Sequence, residues 1–112
     1  MRRLALIAAL LATATVASAQ QHPAANWSTA GTAQFGLAVT TNTQLTVPAG
    51  TICAYITVET AAVRRTSDGT SASSSNGTLF NAGTQWADCG PLASYKFTAV
   101  SGSPTLDVEY FR

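Results

Sequence analysis

Residues 52–59 read ICAYITVE, and this stretch decides the fold class. Every second residue from Ile52 to Val58 is apolar, so these side chains share one face of an extended chain. A period of two is typical of a β-strand with one buried face and does not fit a helix. Cys53 lies on the opposite face, so the sequence predicts that it points away from the aliphatic side chains and toward a covering loop.

The same period recurs in residues 104–111, PTLDVEYF, where Leu106, Val108 and Tyr110 alternate with polar residues. Further strands are predicted at 33–39, 43–47, 62–65, 78–80, 84–86 and 94–100. Residues that favour turns separate them, for example Asn76-Gly77. About eight short strands with frequent turns indicate an all-β protein, a single small β-sandwich or jelly-roll-like domain of antiparallel strands.

One connection between these strands is long and polar. Residues 66–77, TSDGTSASSSNG, contain no apolar side chain larger than alanine. We expect a mobile loop here. Asp68-Gly69 within it is interpreted as a turn, because a calcium loop needs several more oxygen ligands at spaced positions.

The N-terminal residues are typical of a secretory signal peptide. A basic start, MRR, precedes an apolar run at 4–16 and the small residues Ala17-Ser18-Ala19. The apolar run is too short for a membrane-spanning helix, which needs about 20 residues. We therefore predict a signal peptide at 1–19, a flexible lead-in at 20–31 and one domain at 32–112. The protein is expected to be secreted or periplasmic.

The charge of the predicted exported chain is close to neutral. Beyond residue 19 there are four basic and five acidic side chains. Nucleic acids and anionic membranes require a concentrated basic face, so neither is the expected partner.

Export changes the interpretation of the two cysteines, Cys53 and Cys89, because thiols pair in oxidising compartments. A disulfide between them would contribute about 4 kcal/mol in the chain-entropy model. A structural zinc site is the alternative, but two cysteines and one histidine fall short of its four ligands. We predict the disulfide, with the loop around Cys89 fixed against the outside of the strand that holds Cys53.

The sequence offers poor material for catalysis. His22 lies in the predicted lead-in, where a catalytic triad could not be held in place. Asp107 and Glu109 share one face of a strand at a spacing near that of glycosidase carboxylates. Pairing of these two with Arg64, Arg65 or Lys96 on neighbouring strands is the stronger explanation. We predict no enzyme activity, no cofactor and no metal.

The sequence supports a binding function better than catalysis, because aromatic side chains on a β-sandwich can stack on a sugar or anchor a protein partner. Packing in the core is the competing interpretation of each of them. Trp86 is the first candidate, since it lies near the predicted disulfide. The full set of candidate binding residues is Trp86, Tyr55, Tyr95 and Trp27.

Residues 52–112 also resemble a family of small β proteins encoded among the structural genes of tailed bacteriophages. The matching positions, in order, are Val58, Glu59, Val63, Arg64, Asp68, Gly69, Thr70, Gly83, Gly90, Leu92, Phe97, Leu106, Val108 and Tyr110. The resemblance implies a β-sandwich and a non-enzymatic virion accessory role. The predicted signal peptide and the two cysteines depart from the family pattern. These departures count against the virion role more than against the fold.

Together these patterns predict an exported structural or interaction module that works without catalysis. Its expected partner is a protein, either a second copy or part of a virion or cell-surface assembly. The alternative is a secreted module that binds polysaccharide.

Overall fold

Two antiparallel sheets make up the part of the chain that the computed structural model describes, residues 27–112. The strands are β1 (Gln34–Ala38), β2 (Cys53–Glu59), β3 (Val63–Thr66), β4 (Thr78–Phe80), β5 (Gln85–Asp88), β6 (Lys96–Ala99) and β7 (Thr105–Phe111), and one 3-10 turn spans Leu92–Ser94. The four-stranded sheet has the order β1-β7-β2-β5, and the three-stranded sheet has the order β4-β3-β6. The predicted all-β sandwich is confirmed. The predicted signal peptide and His22 lie outside the described residues.

The two strands with the clearest alternation pair with each other at the centre of the larger sheet. β2 and β7 match over seven residue pairs, from Cys53 opposite Phe111 to Glu59 opposite Thr105. Their even-numbered side chains are buried, with at most 1% exposure: Ala54, Ile56, Val58, Leu106, Val108 and Tyr110. Val63 and Phe97 of the smaller sheet are fully buried in the same core. The core therefore lies between the sheets, on the face that the period of two predicts.

The N-terminal end of the described chain also joins this sheet. Ser28 exchanges backbone hydrogen bonds with Arg112, and the Ala30 N–H donates to the Tyr110 carbonyl. Ala30 is buried in the core. The last residues of the predicted lead-in therefore pair with the end of β7.

The strand predicted at 43–47 is wrong, and residues 27–112 form seven strands instead of the eight predicted. Thr43 makes only an isolated bridge with Phe97. The Thr46 N–H donates to the side-chain oxygen of Gln34, 3.0 Å away, and not to a neighbouring strand. Leu45 still packs in the core, so the apolar pattern reports burial of this segment without strand pairing.

The predicted disulfide between Cys53 and Cys89 is confirmed. Its surroundings differ from the prediction, because β5 continues to Asp88, opposite Ala54. Cys53 and Cys89 occupy the next position of the same register. Cys89 is the first residue after the edge strand β5, so the bond joins the first residue of β2 to the start of the loop that follows β5, directly beside the sheet.

The segment at 66–77 covers the outer side of β3 and β6 in the three-stranded sheet. Ala72, at its centre, is buried, and its N–H donates to the Asn42 side-chain oxygen at 2.8 Å. The Thr98 hydroxyl donates to the Ala72 carbonyl, and Arg64 donates to the carbonyls of Ser74 and Gly77. The predicted mobile loop is thus tied to β3 and β6 along its length, and it occupies the face of β3 and β6 that points away from the core.

The disulfide should provide a large part of the stability of this small domain. Replacement of Cys53 and Cys89 together by alanine removes the constraint on a chain segment of 36 positions. We expect the free energy of unfolding to fall by about 4 kcal/mol, mainly because the unfolded chain gains freedom. Urea denaturation of the oxidised protein and of the double variant measures the difference. Equal stability of the two proteins would contradict the expectation.

Candidate interaction surface

Asp88 is the centre of a polar cluster that connects the two sheets. One carboxylate oxygen accepts from Arg65 Nη1 at 2.6 Å and from Trp86 Nε1 at 3.0 Å. The other oxygen accepts from the Tyr95 hydroxyl and from the Gly90 N–H. Arg65 lies on β3 and Asp88 on β5, and their side chains are only 15% and 12% exposed. The ion pair therefore links the sheets at the side where β4 and β5 form their edges.

Aromatic rings surround the Arg65 guanidinium group. Its central carbon lies 4.5 Å from the Tyr95 ring centroid and 5.0 Å from that of Phe80, which is a cation–π arrangement. Phe80 stacks in turn on Trp86, with the ring centroids 4.1 Å apart and an angle of 8° between the planes. Together with Asp88, these four residues form what we call the polar cluster. It fills the gap between the edge strands β4 and β5.

Sequence analysis missed this cluster. Asp88 was predicted to lie in a loop, and no spacing rule connects Arg65 with a carboxylate 23 positions later. The register of β5 against β2 carries the information, because it points Trp86 and Asp88 to the same side as Ile56 and Ala54.

The charge of Asp88 is stabilised by its hydrogen bonds. Burial acts to raise the pKa of this carboxyl, but the hydrogen bonds from Tyr95, Trp86 and Gly90 and the charge of Arg65 outweigh it and hold the pKa below its usual value. Burial and the hydrogen bond to Asp88 raise the pKa of Tyr95 above its ordinary range. Tyr95 therefore stays protonated and Asp88 stays ionised at neutral pH.

The polar cluster is built for structure and not for proton transfer. An ionised carboxylate offers about four acceptor positions, and four donors of the protein itself already approach Asp88. A general base needs an oxygen that faces the substrate. The occupied carboxylate of Asp88 instead holds β3, β5 and the chain before β6 together.

Asp107 and Glu109 lie on the other side of the larger sheet. The Asp107 carboxylate accepts from the Gly36 N–H at 2.7 Å and thereby holds the irregular part of β1. The alternative that paired them with Arg64, Arg65 or Lys96 is wrong, since those residues belong to the other sheet. Within residues 27–112 the one ion pair is that of Arg65 with Asp88.

The odd-numbered residues of β2, β5 and β7 point to the side of the four-stranded sheet that faces away from the core. We call this surface the outer face. Its register places Tyr55 between Ala87 and Glu109, and Thr57 between Gln85 and Asp107. Glu59, Gln85 and Glu109 are exposed, and the residues between them are half-buried. This surface is therefore accessible, unlike the outer side of β3 and β6 in the smaller sheet.

The outer face is acidic. It carries three carboxylates, from Glu59, Asp107 and Glu109. None of the four strands of this sheet contains a lysine or an arginine. The negative charges are therefore not balanced within the sheet that carries them.

One end of the outer face is apolar. A groove of about 190 Å³ lies there between Trp27, Ile52, Cys53, Phe111 and Arg112. The ring of Trp27 packs against Phe111 at a centroid distance of 5.6 Å. Ile52 is 64% exposed, so an aliphatic side chain is accessible to a partner at this groove.

The structure separates the four candidate binding aromatics into two pairs. Trp86 and Tyr95 both donate to Asp88 in the polar cluster, and Tyr95 is only 2% exposed. Tyr55 lies on the outer face, where its hydroxyl donates to Gln85 at 3.0 Å. Trp27 lies at the apolar end of the same face. Two of the four candidates are thus on the accessible surface.

Comparisons with protein-family models, with curated proteins and with solved structures give no match. The resemblance to tailed-phage proteins stays a prediction. The findings support a small all-β protein of two antiparallel sheets with a disulfide. No helix among residues 27–112 is long and apolar enough to cross a membrane.

Asp88→Asn should destabilise the protein, since it leaves the Arg65 guanidinium group in the cluster without its counter-charge. We expect the free energy of unfolding at neutral pH to fall by roughly 2–3 kcal/mol, somewhat less than for a fully buried pair. Urea denaturation measures it. Asp68→Asn is the control, because Asp68 is exposed and bonded only to neighbouring Thr70, and a similar loss in that variant would contradict the role given to Asp88.

The loss of stability in the Asp88→Asn variant should depend on pH. The pKa of Asp88 is lowered in the folded state, so its stabilising effect is complete above the unfolded-state value of about 3.9 and is lost as the pH falls through the folded-state value. The stability difference between the original protein and Asp88→Asn should therefore shrink when urea denaturation is repeated at acidic pH. A difference that stays constant from neutral pH to pH 3 would count against this electrostatic origin.

Proposed function

We propose that this protein is a non-enzymatic, extracytoplasmic interaction module that binds a protein partner through the outer face of its four-stranded sheet. One observation carries the proposal. The chain covers the outer side of β3 and β6 in the smaller sheet with its own segment at 66–77, but it leaves the outer face of the larger sheet accessible. That accessible surface combines Tyr55, unbalanced carboxylates and an apolar groove.

The arrangement of the polar groups supports a binding role over catalysis. The described carboxylate with the most perturbed surroundings, Asp88, is occupied by donors of the protein itself. Among residues 27–112, no group of three histidine, cysteine, aspartate or glutamate side chains is placed to hold a metal ion. Exposed aromatic and aliphatic side chains beside charged ones are instead what protein interfaces use.

The extracytoplasmic location rests on two features that agree. The disulfide is the form that cysteines take in oxidising compartments, and the predicted signal peptide at 1–19 provides the route. Assembly of the kind implied by the phage resemblance fits this function, with the partner in a larger structure. The genes that flank this one test that origin, because capsid and tail genes on both sides would support it and their absence would count against it.

Polysaccharide binding is the second candidate, and the pair formed by Tyr55 and Gln85 favours it. A tyrosine ring on an extended sheet, next to an amide that can donate and accept, is a suitable platform for a sugar ring. Trp86 is a weaker candidate in the structure, because its ring already stacks on Phe80 and its N–H is used by Asp88.

Carboxylate labelling in the exporting cells tests the binding role of the outer face. A carbodiimide with a small amine modifies accessible carboxylates, and mass spectrometry reads the extent at each residue. We expect Glu59 and Glu109 to be modified several-fold less in the native setting than in the purified protein, since a partner covers them there. Asp68, in the segment on the opposite side, should be modified equally in both. Equal modification of all three in both settings would refute the proposed function.

Retention on immobilised polysaccharides separates the two candidate functions. If the module binds sugar, Tyr55→Ala should weaken retention by about fivefold or more, because the stacking platform is lost. Leu79→Ala is the matched control, since Leu79 is 45% exposed on the other sheet. Absence of retention, or equal retention of both variants and the original protein, eliminates the sugar-binding candidate.

A further inference from the structure

Three carboxylates of the outer face lie in one continuous row. Glu109 and Asp107 are two residues apart on β7, which places them about 7 Å apart along the strand. Glu59 lies opposite Thr105, so it is the diagonal neighbour of Asp107 across β2 and β7. Like charges at such positions in a sheet repel each other. The row therefore concentrates negative charge that positive charges from outside would neutralise.

The row begins beside the apolar groove. Phe111, which lines the groove, is two residues beyond Glu109 on the same strand and faces the same way. Ile52, on the other side of the groove, is 64% exposed. Along the outer side of β7 the residues thus change from apolar at Phe111 to acidic at Glu109 and Asp107, with a constant step of two residues.

We infer that the outer face binds an extended, basic polypeptide segment that places an aliphatic or aromatic side chain in the groove of Trp27, Ile52 and Phe111 and lysine or arginine side chains over the carboxylate row. The inference rests on the proposed function and specifies its partner. An extended segment repeats its side chains on one face every two residues, at the spacing of the carboxylates. Anchor and charges can therefore be satisfied by one continuous strand.

The charge of the surface selects this partner over others. Contact between two copies with their carboxylate rows against each other is disfavoured, because the three carboxylates of each would meet those of the other. Nucleic acids and acidic proteins are repelled for the same reason. The apolar groove adds a requirement that a purely cationic segment does not meet, and this makes the two parts of the surface separately testable.

A synthetic peptide with the sequence Leu-Ser-Lys-Ser-Lys-Ser-Lys and a fluorescent label serves as the probe. Fluorescence anisotropy with the disulfide-bonded protein measures the dissociation constant at low and at physiological salt. We expect saturable binding that weakens as salt screens the charges. Replacement of the leucine of the peptide by serine should weaken binding by about threefold or more, because the anchor is lost.

Variants of the protein locate the binding. Glu59→Gln and Glu109→Gln should each weaken binding of the peptide up to about fivefold, the usual range for an exposed ion pair, and Ile52→Thr should do so by a similar factor. Asp68→Asn and Leu79→Thr are the matched controls, since they remove one charge and one exposed apolar side chain from the other sheet and its loop. Both controls should bind as the original protein does. All five side chains are accessible, so circular dichroism is expected to show the same fold.

Each of the following results would overturn the inference. Lack of binding at low salt removes it directly. If Glu109→Gln and Asp68→Asn weaken binding equally, only the net charge of the protein matters and the carboxylate row is not the binding site. If neither Ile52→Thr nor the replacement of the leucine of the peptide changes the dissociation constant, the apolar groove does not hold an anchor side chain. If the peptide does not bind, but labelling in cells still shows that Glu59 and Glu109 are protected, the proposed function stands and the inference about the chemistry of the partner is wrong.

Discussion

The antiparallel pairing of β2 with β7 is the constraint on which the rest of the structure depends. These strands are the two central members of the larger sheet, and all seven residues of each are paired. The pairing fixes which side chains enter the core and which form the outer face. It also fixes the neighbours, because β1 is held by β7 and β5 is held by β2. A shift of one residue would exchange the core and the outer face along the whole pair.

The polar cluster solves a problem that a small two-layer protein has at its sides. The sheets end there in the short edge strands β4 and β5, which contribute the stacked rings of Phe80 and Trp86 to the gap. Arg65 closes it by contacts of two kinds, with Asp88 through charge and with Phe80 and Tyr95 through their rings. A buried ion pair often contributes little net stability. The short contact between Arg65 and Asp88 nevertheless fixes the position of β3 relative to β5, and thereby that of one sheet relative to the other.

Much of the fold could be predicted from the sequence, because the period of two in β2 and β7 directly reports burial on one face. The disulfide followed from the small number of cysteines and the predicted export. The polar cluster could not be predicted, since it depends on how the edges of two sheets meet. The segment at 43–47 shows the same limit: its apolar pattern correctly reported that Leu45 is buried, but burial does not require a strand. On the outer face, Tyr55 and Trp27 were found as aromatics, whereas the carboxylate row emerged only from the register.

The order of the strands along the chain has a consequence for how the protein acquires its structure. β7, a central strand, is the last of the strands described, and β1, the first, pairs only with it. Cys53 and Cys89 are both available earlier, so the covalent bond between β2 and β5 can form on a chain that still lacks its central strand. Since β7 supplies three of the fully buried core side chains, such an intermediate has no closed core. When the chain emerges with its N-terminus first, its core thus cannot close until the residues of β7 have appeared.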